Sequence, residues 1–371
     1  MNHAVESEAV ATAAQDQAHM ARALALAARG LYTTDPNPRV GCVIARDGRV
    51  IGEGWHVRAG EAHAEVSALR AAGPQARGAT VYVTMEPCSH TGRTPPCADA
   101  LIAAGVTRIV CGTADPNPKV AGAGVERLRA AGIDVSVGLL GEQARDLNPG
   151  FFARHERGRP WVRLKLAMSV DGRTAPAAGG QLWISSEASR ADVQTWRARS
   201  GAILTGAGTV RTDNPRLDVR LAYGPWVRQP LRVLLDPSLS CTTVAKIFQG
   251  EGALVFAAMD APARSGDGRR VERVARAAGG LDLRTVIARL TELEVNELWV
   301  ECGPRLAGAF VLARLVDELV LYVAPGLLGA DAAPLMHVSG LGPPGTLPAF
   351  EFRDVCRIGT DLRLTLTPKL S

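Results

Sequence analysis

A histidine at 63 and a glutamate at 65, with cysteines at 88 and 97, restrict the fold of this chain more than any other feature. Together His63, Cys88 and Cys97 make a three-ligand zinc set, in which two thiolates offset the dication and one tetrahedral position is left for water. The pKa of such a water falls to ~7, and Glu65 is near enough in sequence to carry its protons. In mid-helix, residues two apart point to different sides and could not meet at one metal. His63 and Glu65 therefore belong to the first turn of a helix, reaching over its end. Cys97 follows Pro95-Pro96, a helix-start signal, and a cysteine near a helix N-terminus is biased toward thiolate. Pro87-Cys88 follows directly on an apolar stretch, 81–84. Two helix starts and one strand end have to converge.

Taken singly these residues are ordinary, since a free cysteine is often just a small buried hydrophobe. The set is what is specific. A closed structural zinc, with His90 or Cys111 as fourth ligand, is the competing arrangement, and it leaves Glu65 without a task. Zinc deaminases of nucleobases use this ligand set with a non-ligand glutamate, but with two residues between the cysteines. Here there are eight, 89–96, and that inserted loop can contact a phosphate through His90 and Arg93.

Composition sets the limits. A chain of 371 residues is long for one core and predicts two domains. With 47% hydrophobic and 21% charged residues it reads as a soluble globular protein. Its 42 basic against 37 acidic residues contain no Lys/Arg block, which favours an anionic small molecule over nucleic acid. Seven cysteines without a regular framework argue for a reducing compartment. Residues 1–17 carry Glu6, Glu8 and Asp16 and no basic n-region, so the expectation is a disordered tail, not a signal peptide. No apolar run is long enough to span a membrane. The chain reads as cytoplasmic.

Helix and strand signals alternate throughout, predicting α/β architecture. In the first half, helices are expected at 18–29, 63–72, 97–104 and 125–131. Strands are expected at 40–45 and 49–55, a hairpin across Asp47-Gly48, and at 79–84, 107–111 and 135–139. The pattern lapses over 147–160, at Asn148-Pro149-Gly150, so the domains are expected to be 18–150 and 151–371. In the second half, strands are expected at 161–167, 202–205, 231–235, 253–257, 297–300 and 319–323. Helices are expected at 186–198, 283–293 and 306–315, and surface loops at 222–229 and 264–270. No internal repeat is present.

No GxGxxG opens a helix after the first strand of the second half, so a standard dinucleotide fold is not supported. Two glycine turns, Gly206-Ala207-Gly208 and Gly303-Pro304-Arg305, follow apolar strands and lead toward helices, where backbone N–H groups suit phosphate. They read equally as ordinary turns. Lys165 lies within an apolar strand, where a charge needs a partner or a ligand, unless that strand is an edge.

The motifs resemble those of the bifunctional riboflavin-biosynthesis deaminase/reductase family. The matching stretches are Asn37-Pro38-Arg39-Val40-Gly41, Gly60-Glu61-Ala62-His63-Ala64-Glu65-Val66, Glu86-Pro87-Cys88-Ser89-His90, Gly92-Arg93-Thr94-Pro95-Pro96-Cys97 and Asp115-Pro116-Asn117-Pro118. The wide cysteine spacing is that family's pattern. The likeness continues through Lys165-Leu166-Ala167-Met168-Ser169-Val170-Asp171-Gly172, Trp183-Ile184-Ser185-Ser186, Gly206 to Val210, Asp213 to Leu217 and Glu301 to Gly308. It implies a cytidine-deaminase-like α/β/α sandwich followed by a dihydrofolate-reductase-like α/β domain, with one zinc per chain and NADPH as cofactors.

By that resemblance His63, Cys88 and Cys97 bind zinc, and Glu65 is the proton donor. Asn37, His56, His90, Arg93, Asp115 and Asn117 line the deaminase pocket. Ala167, Trp183, Ser185, Thr209, Asp213 and the turn Gly303, Pro304, Arg305, Leu306, Ala307 and Gly308 hold NADPH. Gln181, Arg197, Arg216, Leu217, Arg220 and Glu301 fall on substrate positions, Gln181 and Arg216 being places where the family varies. Lys165 is catalytic and with Asp171 holds the opened ribose. The implied substrate is a phosphorylated pyrimidine; a homo-oligomer is compatible with the sequence, which does not give the oligomeric state. Two rival readings remain, an RNA-acting deaminase and a zinc-stabilised binding module. The first needs a basic stripe with interleaved aromatics, and aromatics are only 5% here.

Overall fold

The computed structural model describes residues 2–90, 95–118, 120–177, 183–221, 227–262, 268–277, 280–339 and 349–369, with 2–11 known by backbone alone. Arg93, Gln181 and most of the two surface loops expected at 222–229 and 264–270 lie outside these residues. The chain divides into two compact units, 1–158 and 159–371.

The first unit runs α1 (Asn2–Ala28), β1 (Gly41–Arg46), β2 (Arg49–Trp55), α2 (Ala64–Ala72), β3 (Thr80–Val83), α3 (Cys97–Ala104), β4 (Arg108–Cys111), α4 (Ala123–Ala130), β5 (Asp134–Val137), α5 (Gly141–Leu147) and α6 (Pro149–Arg157). Its strands form one sheet in the order β2-β1-β3-β4-β5. The β1–β2 and β1–β3 pairs are antiparallel, while β3–β4 and β4–β5 are parallel. Period-two alternation splits β1 between two cores. Cys42 and Ile44 pack with Ala64, Ala68, Leu101 and Leu128 from α2, α3 and α4. Val43 and Ala45 pack with Met20, Ala23 and Leu26 of α1. The result is a three-layer α/β/α sandwich.

Two expectations are corrected here. Residues 2–17 are not a separate tail but the first part of α1. Asp16, in the middle of α1, accepts two hydrogen bonds from Arg108 (2.8 and 2.6 Å) and one from Tyr82 (2.6 Å). Asn148-Pro149-Gly150 is not the domain break but the start of α6, with proline at its first position. Asn148 is buried, and its side chain pairs with the backbone of Arg39 at 2.8 and 3.0 Å. The units therefore part at Gly158.

The second unit contains β6 (Trp161–Ser169), β7 (Arg173–Ala175), α7 (Glu187–Arg199), β8 (Ala202–Gly206), α8 (Ala207–Asp213), β9 (Leu231–Leu235), β10 (Leu254–Ala258), β11 (Arg270–Val274), β12 (Arg276–Ala277) and β13 (Gly280–Leu281). It continues with α9 (Leu283–Glu292), β14 (Glu297–Glu301), α10 (Pro304–Leu312), β15 (Glu318–Ala324), β16 (Ala333–Pro334), β17 (Phe350–Ile358) and β18 (Asp361–Pro368). Among the described residues, nine strands make one sheet in the order β11-β10-β9-β8-β14-β6-β15-β18-β17. It is parallel from β11 to β15 and antiparallel over β15–β18–β17. Val286, Ile287 and Leu290 of α9 and Phe310 of α10 cover one face. Val193 of α7 and Val210 of α8 cover the other. The hairpin β17–β18 and the strand β11 stand where no strand was expected. Among the described residues, no helix is long and apolar enough to cross a membrane.

Candidate active sites of the two units

His63 is the N-cap of α2, in extended backbone, and Glu65 lies in that helix's first turn. Gly54 of β2 lets the helix sit this close, because a Cβ there would lie 2.4 Å from the carbonyl oxygen of Ala64. Cys97 is the first residue of α3, and Cys88 sits beyond the C-terminal end of β3. Among the described residues, His63, Cys88 and Cys97 form the one cluster with metal-ligand geometry, their ligand atoms all within 4.8 Å of one another. His63 Nδ1 is 3.2 Å from Cys97 Sγ and 3.6 Å from Cys88 Sγ. A tetrahedral zinc, with Zn–N and Zn–S bonds near 2.0 and 2.3 Å, spaces such ligands ~3.5 Å apart, so the three residues fit the ion. His90 is exposed and Cys111 is buried in the core of the sheet, and neither joins the cluster.

Glu65 is buried beside these ligands, and burial pushes its pKa up to about 7 against the pull of His63. The pKa of the Cys88 thiol is lowered because Cys97 and His63 donate to it. His56 is buried and its pKa is lowered by that burial, so its ring is neutral. Its Nδ1 lies 3.2 Å from the Ala62 carbonyl and its Nε2 lies 3.0 Å from the Asn37 amide nitrogen. Nδ1 therefore donates and Nε2 accepts. The His56 and His63 rings meet edge to face at 5.2 Å. Asp115 lies beyond the end of β4, accepts from the Asn117 backbone N–H (2.8 Å), and is raised by burial to about 6. The structure thus gathers Asn37, His56 and Asp115 around the cluster. Sequence reasoning missed Glu86, whose buried carboxylate accepts four backbone N–H groups.

In the second unit Lys165 is on β6, between Glu301 of β14 and Val320 of β15, so it is not on an edge strand. Burial lowers its pKa, and Glu301 and Asp213 oppose that shift. Its ammonium lies 5.7 Å from the Tyr322 ring centre. Burial works against the Glu301 carboxylate, yet Arg197 holds it at about 2 with a two-point ion pair of 2.6 and 2.7 Å. The Trp299 indole donates to it at 2.8 Å. Asp171, expected with Lys165 at the opened ribose, accepts from the Ser169 hydroxyl (2.5 Å) and from the backbone of Leu328 and Gly329 (3.2 and 2.8 Å).

The two glycine turns lie at the C-terminal ends of neighbouring parallel strands, β8 and β14, the edge where open α/β sheets bind ligands. The first turn faces α10: a Cβ on Gly206 would be 3.2 Å from the Leu306 side chain. Gly303 caps α10, which starts at Pro304, and Arg305 is exposed beside it. Ala167 and Thr209 are half-buried, on β6 and α8. Trp183 is exposed under the Arg190 guanidinium, 5.0 Å from its ring centre, and the Ser185 carbonyl accepts from Arg190 at 2.6 Å. Ala307 and Gly308 face inward. Ala307 belongs to the core, and a Cβ on Gly308 would be 1.8 Å from the His337 carbonyl oxygen. Leu217 is buried in the left-handed region (φ 53°), between Arg216 and Arg220. Both of those arginines pair with Asp218 (2.8 and 2.7 Å), a residue sequence reasoning passed over although the Arg-x-Asp-x-Arg spacing was visible.

Comparison with known proteins covers both units. The model for the cytidine and deoxycytidylate deaminase zinc-binding region matches residues 13–113, and that for the RibD C-terminal domain matches 160–364. Riboflavin biosynthesis protein RibD of Escherichia coli is 50% identical over 363 residues, covering 95% of this chain and 99% of the relative. That of Haemophilus influenzae is 44% identical, covering 96% and 98%. Among solved structures, Acinetobacter baumannii RibD superposes with a TM-score of 0.90 at 44% identity, covering 96% of this chain and all of the other. A Thermotoga maritima diaminohydroxyphosphoribosylaminopyrimidine deaminase/5-amino-6-(5-phosphoribosylamino)uracil reductase gives 0.84 at 33% identity, with the same coverage.

Proposed function

The chain belongs to the RibD family of riboflavin biosynthesis, a deaminase joined to a reductase, and from that premise we propose how its residues divide the work. The first unit converts 2,5-diamino-6-(5-phosphoribosylamino)pyrimidin-4-one to the corresponding uracil. The second reduces the ribosyl group of that product to ribityl. The observation that carries the first assignment is a closed triangle of one imidazole and two thiols with a buried carboxylate beside it.

His63, Cys88 and Cys97 are the residues that would hold zinc. Zn²⁺, when bound, would supply Lewis acidity and lower the pKa of a water on it to ~7. Glu65 accepts a proton from the attacking water and returns one to the 2-amino nitrogen, which leaves as ammonia. A pKa near 7 suits a group that must take and give a proton in one cycle. Asn37, His56, Asp115 and Asn117 bind the pyrimidine edge, and His90 and Arg93 reach its phosphate.

NADPH would be the reductant, and Ala167, Trp183, Ser185, Thr209, Asp213 and the Gly303-Pro304-Arg305-Leu306 turn would hold it. When bound it supplies hydride, while the protein supplies orientation and charge. Lys165 donates a proton to the sugar oxygen as the ribose opens, and Glu301 keeps that ammonium charged. Arg216 and Arg220 take the substrate phosphate, with Arg197 and Leu217 shaping the pocket behind them. One assay tests the whole scheme: the diaminopyrimidine is added with NADPH, and nicotinamide absorbance is followed alongside ammonia. Loss of absorbance that requires prior ammonia release is the expected result. NADPH oxidation without ammonia release would overturn the order of the steps.

A further inference from the structure

We infer that Glu86 is a positioning residue of the deaminase unit, fixing the Asp115–Asn117 segment against the turn that carries Cys88. The inference rests on reading Asp115 and Asn117 as substrate contacts. Glu86 lies beyond the C-terminal end of β3, two residues before Cys88, and is 4% exposed. Its backbone N–H donates to the Thr113 carbonyl at 2.9 Å, continuing the parallel register of β3 and β4 past their ends. Its carboxylate is filled by backbone. Oε2 accepts from Asp115 (3.2 Å) and Gly122 (3.0 Å), and Oε1 accepts from Gly124 (2.9 Å) and Val125 (3.2 Å).

Gly122 is the N-cap of α4 and offers no side chain, so Glu86 satisfies the orphan donors of that helix from another part of the chain. A serine at the cap position would satisfy such a helix end locally. The remote carboxylate does something a local cap cannot. It ties both ends of 113–125 to the strand end that delivers Cys88. Backbone contact reinforces the tie, since a Cβ on Gly124 would lie 2.0 Å from the Pro87 carbonyl oxygen. Asp115 therefore receives its place from two directions: Glu86 holds its N–H, and its own carboxylate accepts from the N–H of Asn117.

The test is Glu86→Gln in the full-length enzyme, alone and combined with Asp115→Ala. Glutamine keeps the shape but turns one oxygen into an NH₂ that only donates, so two of the four N–H groups lose their acceptor. We expect KM for the diaminopyrimidine to rise roughly tenfold or more, with a smaller change in kcat. Zinc content and NADPH oxidation with already deaminated substrate should not change. The double variant should bind substrate no worse than Asp115→Ala alone, because both act through the same contact. Gly124→Ala, which forces α4 away from the Pro87 turn, should give the same KM effect and serves if Glu86→Gln does not fold. An unchanged KM, full additivity with Asp115→Ala, or loss of zinc would each overturn the positioning role. If Asp115→Ala alone leaves KM unchanged, the pocket reading fails first and the inference falls with it.

Discussion

Glu65 and Lys165 present the same physical problem with opposite sign, an ionisable group taken out of water and answered by neighbours of differing charge. Burial raises the carboxylate and lowers the ammonium, and each neighbourhood limits the shift. Glu65→Gln preserves size while removing the exchangeable proton, so ammonia release should fall ~10²–10⁴-fold while zinc content stays near one per chain. Near-normal ammonia release would remove Glu65 from the proton path. Lys165→Ala should abolish NADPH oxidation and leave ammonia release intact; equal loss of both would instead indicate a folding defect. These residues were legible because each breaks a local rule, an acid two places after a ligand or a lysine in an apolar strand. Glu86, Trp299 and Asp218 left weaker traces. Glu86 is met by distant backbone groups, and Trp299 and Asp218 by charged side chains two residues away, and neither kind of contact changes hydrophobic periodicity.

Elements were read where one face is apolar and lost where it is not. The β18 strand alternates Leu362, Leu364 and Leu366 with Arg363, Thr365 and Thr367, a period-two pattern, yet its partner β17 carries Glu351, Arg353, Asp354 and Arg357 on an exposed edge. A strand exposed on both faces gives no burial signal. The seven-residue α8 is too short for helical periodicity to register. The middle of α1 is tied to the sheet through Asp16. The Arg108 hydrogen bond lowers the pKa of Asp16 below its ordinary 3.8. Its stabilisation is therefore complete above that value and is lost as pH falls through the lower, folded one. Asp16→Ala should destabilise the first unit by about 2–3 kcal/mol, read by urea unfolding at pH 7, and the difference from wild type should shrink below about pH 4. Gly54→Ala acts on another element contact: its methyl would push α2 off β2, so zinc loss should accompany the ~1–3 kcal/mol of overpacking. Retained zinc would mean that the helix tolerates the shift.

At the scale of the whole molecule, each half has its own sheet, core and chemistry, and the break after Gly158 leaves the central strand β6 intact in the second unit. Residues 159–371 alone should fold and bind NADPH, measured by nicotinamide fluorescence; a folded fragment without binding would place the nicotinamide site wrongly. The two sheets also differ in when they can form. In the first unit the paired strands lie within 41–137, and all of them emerge early in synthesis. In the second, β6 is made first but is flanked by β14 and β15, which begin only at 297 and 318. On the ribosome the deaminase can close while the reductase still waits, its founding strand unpaired until β14 and β15 are made. The reductase is thus the half with the higher contact order, the slower to fold and the one more open to aggregation during its making.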